Sequence, residues 1–115
     1  MSKKISVIIT CYNLEKYISR AINSCINQTL SDEKYEIIIV DDASDDNSWD
    51  IISGYHNMGG LIKSIQLEEN SGVSTASNKG ISMSEGKYVV RVDGDDFINK
   101  NFLLTMSQIL DWNED

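Results

Sequence analysis

Three aspartates stand within four positions at the end of an apolar run, in the stretch KYVVRVDGDDF at residues 87–97. Ionised carboxylates this close repel one another, so the clustering of Asp93, Asp95 and Asp96 does not stabilise a fold by itself. A divalent cation relieves this repulsion. Mg²⁺ or Mn²⁺ typically takes one or two protein carboxylates and completes its shell with water and phosphate oxygens. The pattern therefore indicates a metal site that serves a phosphorylated ligand, with ordinary turn chemistry as the alternative explanation.

Other ways of binding phosphate or metal are not supported by the sequence. The chain contains neither GxGxxG nor GxxxxGK[ST], the signatures of a dinucleotide-binding loop and of a P-loop. An EF-hand calcium loop that began at Asp93 would require glycine at its sixth position and glutamate at its twelfth, where Ile98 and Leu104 stand. A single histidine, His56, and the lack of a CxxC pair argue against a structural zinc site.

Composition restricts the class of protein further. The 115 residues are 41% apolar and 24% charged, which suits one soluble globular domain. A net charge of −8 opposes binding to nucleic acid, which requires clustered Lys and Arg. Cys11 and Cys25 occupy apolar positions and are predicted to be buried thiols in a reducing compartment. No apolar stretch reaches the roughly 20 residues of a membrane span. We therefore expect a cytoplasmic protein, with a peripheral place at the inner face of the membrane as an option for a full-length chain.

Short apolar runs alternate with helical patterns along the chain. The four runs are ISVII (5–9), YEIIIV (35–40), LIKSIQL (61–67) and YVVRV (88–92). Apolar residues at a spacing of three and four predict a helix between Leu14 and Ile26, and shorter patterns predict helices over 46–53, 73–84 and 102–110. This alternation predicts an α/β fold with a mainly parallel sheet of about four strands, flanked by helices. The third run alternates apolar and polar residues, which is typical of a strand near a sheet edge.

Polar residues follow three of the four predicted strands. Thr10–Asn13 follow the first, Asp41–Asp42 follow the second, and Asp93–Asp96 follow the fourth. Ligands of open parallel sheets bind beyond the carboxyl ends of the strands, so these three clusters are expected to meet at one edge. Asn13 is predicted to cap the following helix. Tyr12 is either an aromatic platform for a ligand or a packed core tyrosine.

Four stretches together resemble the nucleotide-binding half of the family 2 glycosyltransferases, which have the GT-A fold. They are ISVIITCYN, EIIIVDDASDDNS, NSGVSTASNKG and GKYVVRVDGDDF, and they follow the family's order and spacing. The resemblance implies a Rossmann-like GT-A half domain, in which residues 1–115 form a single nucleotide-sugar-binding (donor) region that ends before the acceptor half. It also implies an inverting enzyme that transfers a sugar from a nucleoside diphosphate, with UDP-sugars favoured, to a saccharide or lipid-linked acceptor.

The resemblance assigns the nucleoside to residues that follow the first two strands. Tyr12 would lie against the nucleotide base, and Thr10 would line the same pocket. Asp42, the second aspartate of the VDD stretch, would accept a hydrogen bond from the uracil ring nitrogen.

The resemblance assigns the diphosphate to the DXD motif, formed by Asp93, Gly94 and Asp95, and to the third helix. By resemblance, Asp95 would bind the Mn²⁺ or Mg²⁺ ion, and Asp93 would contact the ribose or a metal-bound water. Asn78 and the NSG stretch before it would lie close to the diphosphate, towards which the amino end of the helix also directs free N–H groups. A divalent cation stabilises the negative charge of a leaving diphosphate without requiring a proton.

The chain also departs from the family pattern. Ser77 stands where arginine is common, and Lys100 stands where proline is common, so Lys79 is considered as a substitute cation near the diphosphate. No residue is a candidate for the general base, so no catalytic residue is assigned and the chain is expected to be inactive alone. Arg91, inside the otherwise apolar fourth run, has no explanation from the sequence.

Two functions from other classes remain open. A non-catalytic nucleotide-sugar-binding or metal-binding module would keep the same pocket without the chemistry. A receiver domain of a signalling protein also gathers acidic residues around Mg²⁺. Its acidic pair follows the first strand, however, whereas the pair Asp41–Asp42 follows the second.

Overall fold

The computed structural model describes residues 3–112, in which strands and helices alternate as the sequence pattern predicts. The elements are β1 (Ile5–Cys11), α1 (Ile18–Ile26), β2 (Tyr35–Asp41), α2 (Ser48–Ser53), β3 (Ile62–Gln66), α3 (Val73–Met83), β4 (Tyr88–Asp93) and α4 (Phe102–Trp112). A short 3₁₀ turn at His56–Met58, which was not predicted, precedes β3. No helix among the described residues is long and apolar enough to cross a membrane.

All the strands pair in parallel, in the order β3-β2-β1-β4. The register places Thr10 of β1 opposite Val40 of β2 on one side and opposite Asp93 of β4 on the other. The carboxyl ends of these strands are therefore aligned, and the prediction of a parallel α/β sheet with one shared polar edge is confirmed. β3 lies at the outer edge of the sheet, as its alternating pattern indicated.

Helices cover both faces of β1 and β2, which are buried at every position. The main apolar cluster lies between the sheet and α1, α2 and α4, and it includes Val7, Ile9, Ile22, Ile39, Ile52 and Leu103. A smaller cluster of Ile38, Val40 and Ala76 lies on the opposite face, under α3. α3 approaches β1 so closely that a Cβ built on Gly80 would lie 2.5 Å from Ile8 Cγ2.

β4 is covered on one face only. Val90 and Val92 face the main cluster, whereas Val89 is 41% exposed and Arg91 is also exposed. A continuous apolar run is typical of a strand buried on both faces. The second face of β4 stays exposed because α3, the helix on that side of the sheet, packs over β1 and β2 rather than over β4.

Candidate functional site

A cavity of about 500 Å³ opens at the carboxyl edge of the sheet. The predicted site residues that line it are Thr10, Tyr12, Asp42, Asp93 and Asp95. The other lining residues are Cys11, Leu14, Asn70, Gly72, Val73, Ala76 and Gly94. Side chains that are distant in sequence thus converge at one place, as expected for the carboxyl ends of parallel strands.

Asn78 is the predicted site residue that does not line this cavity. It is exposed on α3, as is Lys79, the proposed substitute for the missing arginine. The amino end of α3 contributes Gly72, Val73 and Ala76 instead. The contact between Asn78 and a diphosphate stays a prediction.

Tyr12 lies directly after β1 with 42% of its surface exposed. This exposure decides against a packed core tyrosine, so the ring is available to a ligand. Tyr12 also lines a neighbouring cavity of about 530 Å³, which is formed by residues 43–45 and 66–70. Thr10, by contrast, is 8% exposed and lies at the floor between β2 and β4.

Asn13 does not cap α1, so that prediction is wrong. α1 begins at Ile18 and has no side-chain cap. The Asn13 Oδ1 atom accepts a hydrogen bond from the Asp45 main-chain N–H (2.7 Å), and the Asn13 N–H donates to Ser44 Oγ (2.9 Å). The side chain therefore joins the loop after β1 to the loop after β2, with its own backbone in the left-handed region (φ 53°).

Asp41, the first aspartate after the β2 apolar run, is a structural residue. It is fully buried, and its carboxylate accepts hydrogen bonds from the Ser44 N–H (3.0 Å), from Ser44 Oγ (2.6 Å) and from Gln66 Nε2 (3.2 Å). These bonds hold the loop in which Ala43 has a left-handed backbone (φ 60°). A conformation that is uncommon for residues other than glycine is thus fixed directly after Asp42.

Asp42 anchors the loop in front of α3. Its side chain lines the cavity although the residue is only 4% exposed. One carboxylate oxygen accepts the Ser71 N–H (2.8 Å), and the other accepts the Gly72 N–H (2.9 Å) and Asn70 Nδ2 (3.0 Å). An ionised carboxylate has about four acceptor sites, so three donors leave about one for a ligand. Its role toward a nucleotide base stays a prediction.

Asp93 and Asp95 present their side chains at the mouth of the cavity. The Asp93 side chain is 57% exposed, and its Oδ1 lies 3.5 Å from Arg91 Nη2, which gives Arg91 an explanation that the sequence did not. Asp95 is exposed as well. Asp96 lies outside the lining residues and accepts a bond from the Phe97 N–H (3.3 Å), so the third aspartate has ordinary turn chemistry.

Gly94 allows the DXD loop to close against β1. Its N–H donates to the Thr10 carbonyl (2.8 Å), and a Cβ at this position would lie 2.7 Å from that same oxygen. The Asp96 N–H donates to the Asp93 carbonyl (2.9 Å), which completes a tight turn. Any larger residue between the two aspartates would push this turn away from β1.

The donor set suits a metal ion that is shared with a ligand. Within residues 3–112, no cluster of three or more His, Cys, Asp or Glu side chains could hold a metal by itself. Two exposed carboxylates on one short turn, Asp93 and Asp95, are the number that Mg²⁺ or Mn²⁺ takes when phosphate and water supply the remaining ligands. These residues therefore fit a nucleotide-associated metal and do not form a closed structural metal site.

The two cysteines are buried free thiols, as predicted. Cys11 lines the cavity but is only 2% exposed, and burial raises its pKa to about 11. Burial also raises the pKa of Cys25, within the main cluster, to about 11. Both thiols are neutral near pH 7 and act as packing groups.

Two contacts to the site carry no local sequence signal. The Asn70 side chain bonds Asp42 from 28 positions away, and Arg20 Nη2 donates to the Asp95 carbonyl (2.9 Å) from 75 positions away. The NSG stretch, which contains Asn70, is predicted to lie near the diphosphate, but its spacing does not indicate this bond to Asp42. Arg20 lies on the exposed side of α1, where an arginine is ordinary.

The chain is similar to bacterial glycosyltransferases over most of its length. It is 35% identical to glycosyltransferase GlyG of Streptococcus pneumoniae over 108 residues, which cover 94% of this chain and 35% of GlyG. It is 39% identical over 109 residues to TarS of Staphylococcus aureus, a poly(ribitol-phosphate) β-N-acetylglucosaminyltransferase, covering 94% of this chain and 19% of TarS. The chain thus spans about a third or less of the length of these relatives.

Solved structures share the fold. The crystal structure of TarS residues 1–349 in complex with UDP-GlcNAc matches with a TM-score of 0.87 and 38% identity, over 95% of this chain and 31% of that one. A mannosyltransferase from Pyrobaculum calidifontis, solved with GDP-mannose and Mn²⁺, matches with a TM-score of 0.85 and 22% identity, over 96% of this chain and 33% of that one. The GT-A-like architecture expected from the sequence is confirmed.

The sequence profile of the group described as Glycosyl transferase family 2 matches residues 6–115. This span contains every residue that lines the cavity. The chain belongs to glycosyl transferase family 2.

Proposed function

We propose that this chain binds the donor of an inverting glycosyltransferase, a UDP-sugar, together with a divalent metal ion held by Asp95 and Asp93. The observation that carries the proposal is the convergence of Tyr12, Asp42, Asp93 and Asp95 in one cavity at the carboxyl edge of the sheet. The UDP-GlcNAc bound by TarS supports a UDP-sugar as the donor. The acceptor in our proposal is a saccharide or a lipid-linked acceptor, bound by the acceptor half of the enzyme.

The nucleoside is held by Tyr12 and Asp42. The exposed Tyr12 ring stands between two cavities and offers a face on which a base can stack. The remaining acceptor site of Asp42 accepts from the N3–H of uracil, whereas cytosine presents an unprotonated N3 at that position. Two opposed acceptors cost about 1–3 kcal/mol, which corresponds to a preference for UDP over CDP of roughly tenfold to a hundredfold.

The diphosphate is held between the DXD turn and α3. Asp93 and Asp95 would hold Mn²⁺ or Mg²⁺, which when bound supplies positive charge to the leaving diphosphate. The first N–H groups of α3, from Val73 onward, have no partner within the helix, and Val73 lines the cavity there. The Gly72 N–H is already bonded to Asp42. The amides from Val73 onward donate to phosphate oxygens, as helix amino ends commonly do.

The test is the thermal stability of the chain with Mn²⁺, with UDP and with both. Both together should raise the melting temperature more than either alone, because a ligand that binds only the native state stabilises it. At a ligand concentration of a hundred times the Kd, this stabilisation is about 2.7 kcal/mol. Asp95→Asn should abolish the part that depends on Mn²⁺, since it removes the charge that the cation requires.

Asp96→Asn is the matched control, because Asp96 is adjacent and acidic but lies outside the cavity lining. It should respond to Mn²⁺ and UDP like the parent. A response of Asp95→Asn equal to that of the parent would exclude Asp95 as the metal ligand. An equal loss in both variants would show a general charge effect instead of a site.

A further inference from the structure

Polar side chains of α1, and of the residues just after it, bond to the main chain of residues 95–99. Within α1, Arg20 Nη2 donates to Asp95 O (2.9 Å), and Ser24 Oγ accepts from the Ile98 N–H (3.1 Å). Positions four apart lie one above another on a helix, so these two side chains share a face. Gln28, two residues beyond the end of α1, donates through Nε2 to Asn99 O (2.8 Å). These bonds hold residues 95–99 along α1, and Arg20 is the residue that bonds to the DXD motif itself.

Arg20 is fixed by more than this one bond. Its guanidinium lies over the Phe97 ring, 4.7 Å from the ring centre, and 5.7 Å from the centre of the Tyr17 ring. A cation stacked on aromatic faces gains about 0.5–1 kcal/mol for each contact at exposed sites. The planar group is therefore held in place although it is exposed, and its bond to the Asp95 carbonyl has a defined direction.

We propose that Arg20 is a positioning residue for the metal site. By holding the Asp95 carbonyl, it fixes the main chain from which the Asp95 carboxylate meets the metal and the diphosphate. Arg20 does not line the cavity, so it acts through Asp95 and not on the nucleotide. This inference rests on the proposed role of Asp95 in metal binding.

The experiment measures the Mn²⁺ affinity of the chain at saturating UDP by calorimetry. Arg20→Met should weaken Mn²⁺ binding about tenfold, the lower end of the effect of groups that orient metal ligands. The affinity for UDP without metal should stay within about twofold of the parent. Arg20→Lys keeps the charge and a donor but loses the planar stack, so it should recover part of the affinity.

Lys16→Met is the charge-matched control, because it removes the same charge four positions earlier in the sequence and should leave Mn²⁺ affinity unchanged. Without ligands, amide hydrogen exchange over residues 94–98 should be faster in Arg20→Met than in the parent, and should be unchanged in Lys16→Met. Parent-like Mn²⁺ affinity in Arg20→Met, or an equal loss in Lys16→Met, would overturn the positioning role. A parent that bound UDP without any effect of Mn²⁺ would overturn the proposed metal site as well, which distinguishes the two failures.

Discussion

Asp42 combines two demands on a single carboxylate, since it anchors the 70–72 loop and is also proposed to contact the base. Replacing it with alanine leaves the amides of Ser71 and Gly72 without an acceptor. We expect Asp42→Ala to lower the free energy of unfolding by about 1–3 kcal/mol, measured by urea denaturation without ligand. Calorimetry should also show that the preference for UDP over CDP is lost.

Asp45→Ala is a suitable control for stability, because Asp45 is exposed and its bond to Asn13 uses the main-chain N–H, which the substitution keeps. Reduced stability with an unchanged preference for UDP would leave Asp42 as a loop anchor only. Unchanged stability of Asp42→Ala would show that the 70–72 loop does not depend on the Asp42 carboxylate.

Residue type predicted the members of the site better than it predicted their bonds. Tyr12, Asp93 and Asp95 line the cavity because the carboxyl ends of parallel strands are aligned. The alternation of apolar runs with helical patterns along the sequence predicts that parallel sheet. The prediction that Asn13 caps α1 is wrong because asparagine is favoured both at helix caps and at left-handed loop positions. The bond between Arg20 and Asp95 joins residues 75 positions apart, and no periodic pattern carries that information.

The helices and strands are predicted from the spacing of apolar residues, but that spacing does not indicate where α1 begins. The apolar spacing extends from Leu14, whereas α1 begins at Ile18. The residues between form a turn in which the Tyr17 and Ile18 N–H groups both donate to the Leu14 carbonyl (2.9 Å each). The Leu14 and Glu15 N–H groups, which a helix would not satisfy in its own first turn, donate to Ser48 Oγ (3.0 Å) and to Asp46 Oδ2 (3.1 Å). The apolar spacing carries no information about these contacts between loops.

The packing of α3 on β1 depends on Gly80. A Cβ there would lie 2.5 Å from Ile8 Cγ2, and Ile8 is fully buried. We expect Gly80→Ala to lower the free energy of unfolding by up to about 2 kcal/mol, because overpacking costs about 1–3 kcal/mol and the helical preference of alanine offsets about 1 kcal/mol of it. Urea denaturation measures the difference.

Gly59→Ala supplies the comparison for this substitution. A Cβ at Gly59 would make only an ordinary contact, 3.8 Å from the His56 carbonyl, and the backbone there has a negative φ. Its stability should stay close to that of the parent. If Gly80→Ala were equally neutral, α3 would be free to move away from the sheet without cost.

At the scale of the whole molecule, a buried carboxylate ties together the amino end of the sheet, opposite the cavity. Glu36 of β2 is 2% exposed and accepts bonds from Ser6 Oγ of β1 (2.6 Å) and from the Glu85 N–H before β4 (2.6 Å). Lys63 of β3 lies 3.0 Å from its other oxygen. Burial alone would raise the pKa of Glu36, but the hydrogen bonds from these three partners outweigh it, so the pKa lies below its usual value.

This shift makes stability depend on pH in a definite direction. Because the folded pKa of Glu36 is depressed, its contribution is present above the unfolded pKa of about 4.3 and is lost as the pH falls through the folded value. We expect Glu36→Gln to lower the free energy of unfolding at pH 7 by about 1.5–3 kcal/mol. The difference from the parent should shrink below about pH 4, as urea denaturation across pH would show.

Glu33→Gln, which changes an exposed glutamate, should give no such trend. A difference between Glu36→Gln and the parent that stayed constant from pH 7 to acid would contradict the linkage. It would indicate that shape, and not ionisation, determines the contribution of this side chain.

Because Arg20 and Ser24 of α1, and Thr29 just after it, bond to the main chain of residues 95–100, this segment can change its side chains without losing these bonds. At Lys100, both the N–H and Oγ1 of Thr29 donate to the main-chain carbonyl, a group that the family's more common proline also possesses. A proline at this position would therefore keep both acceptor bonds. A change of side chain in this segment need not displace the DXD turn, which α1 holds through the Asp95 carbonyl.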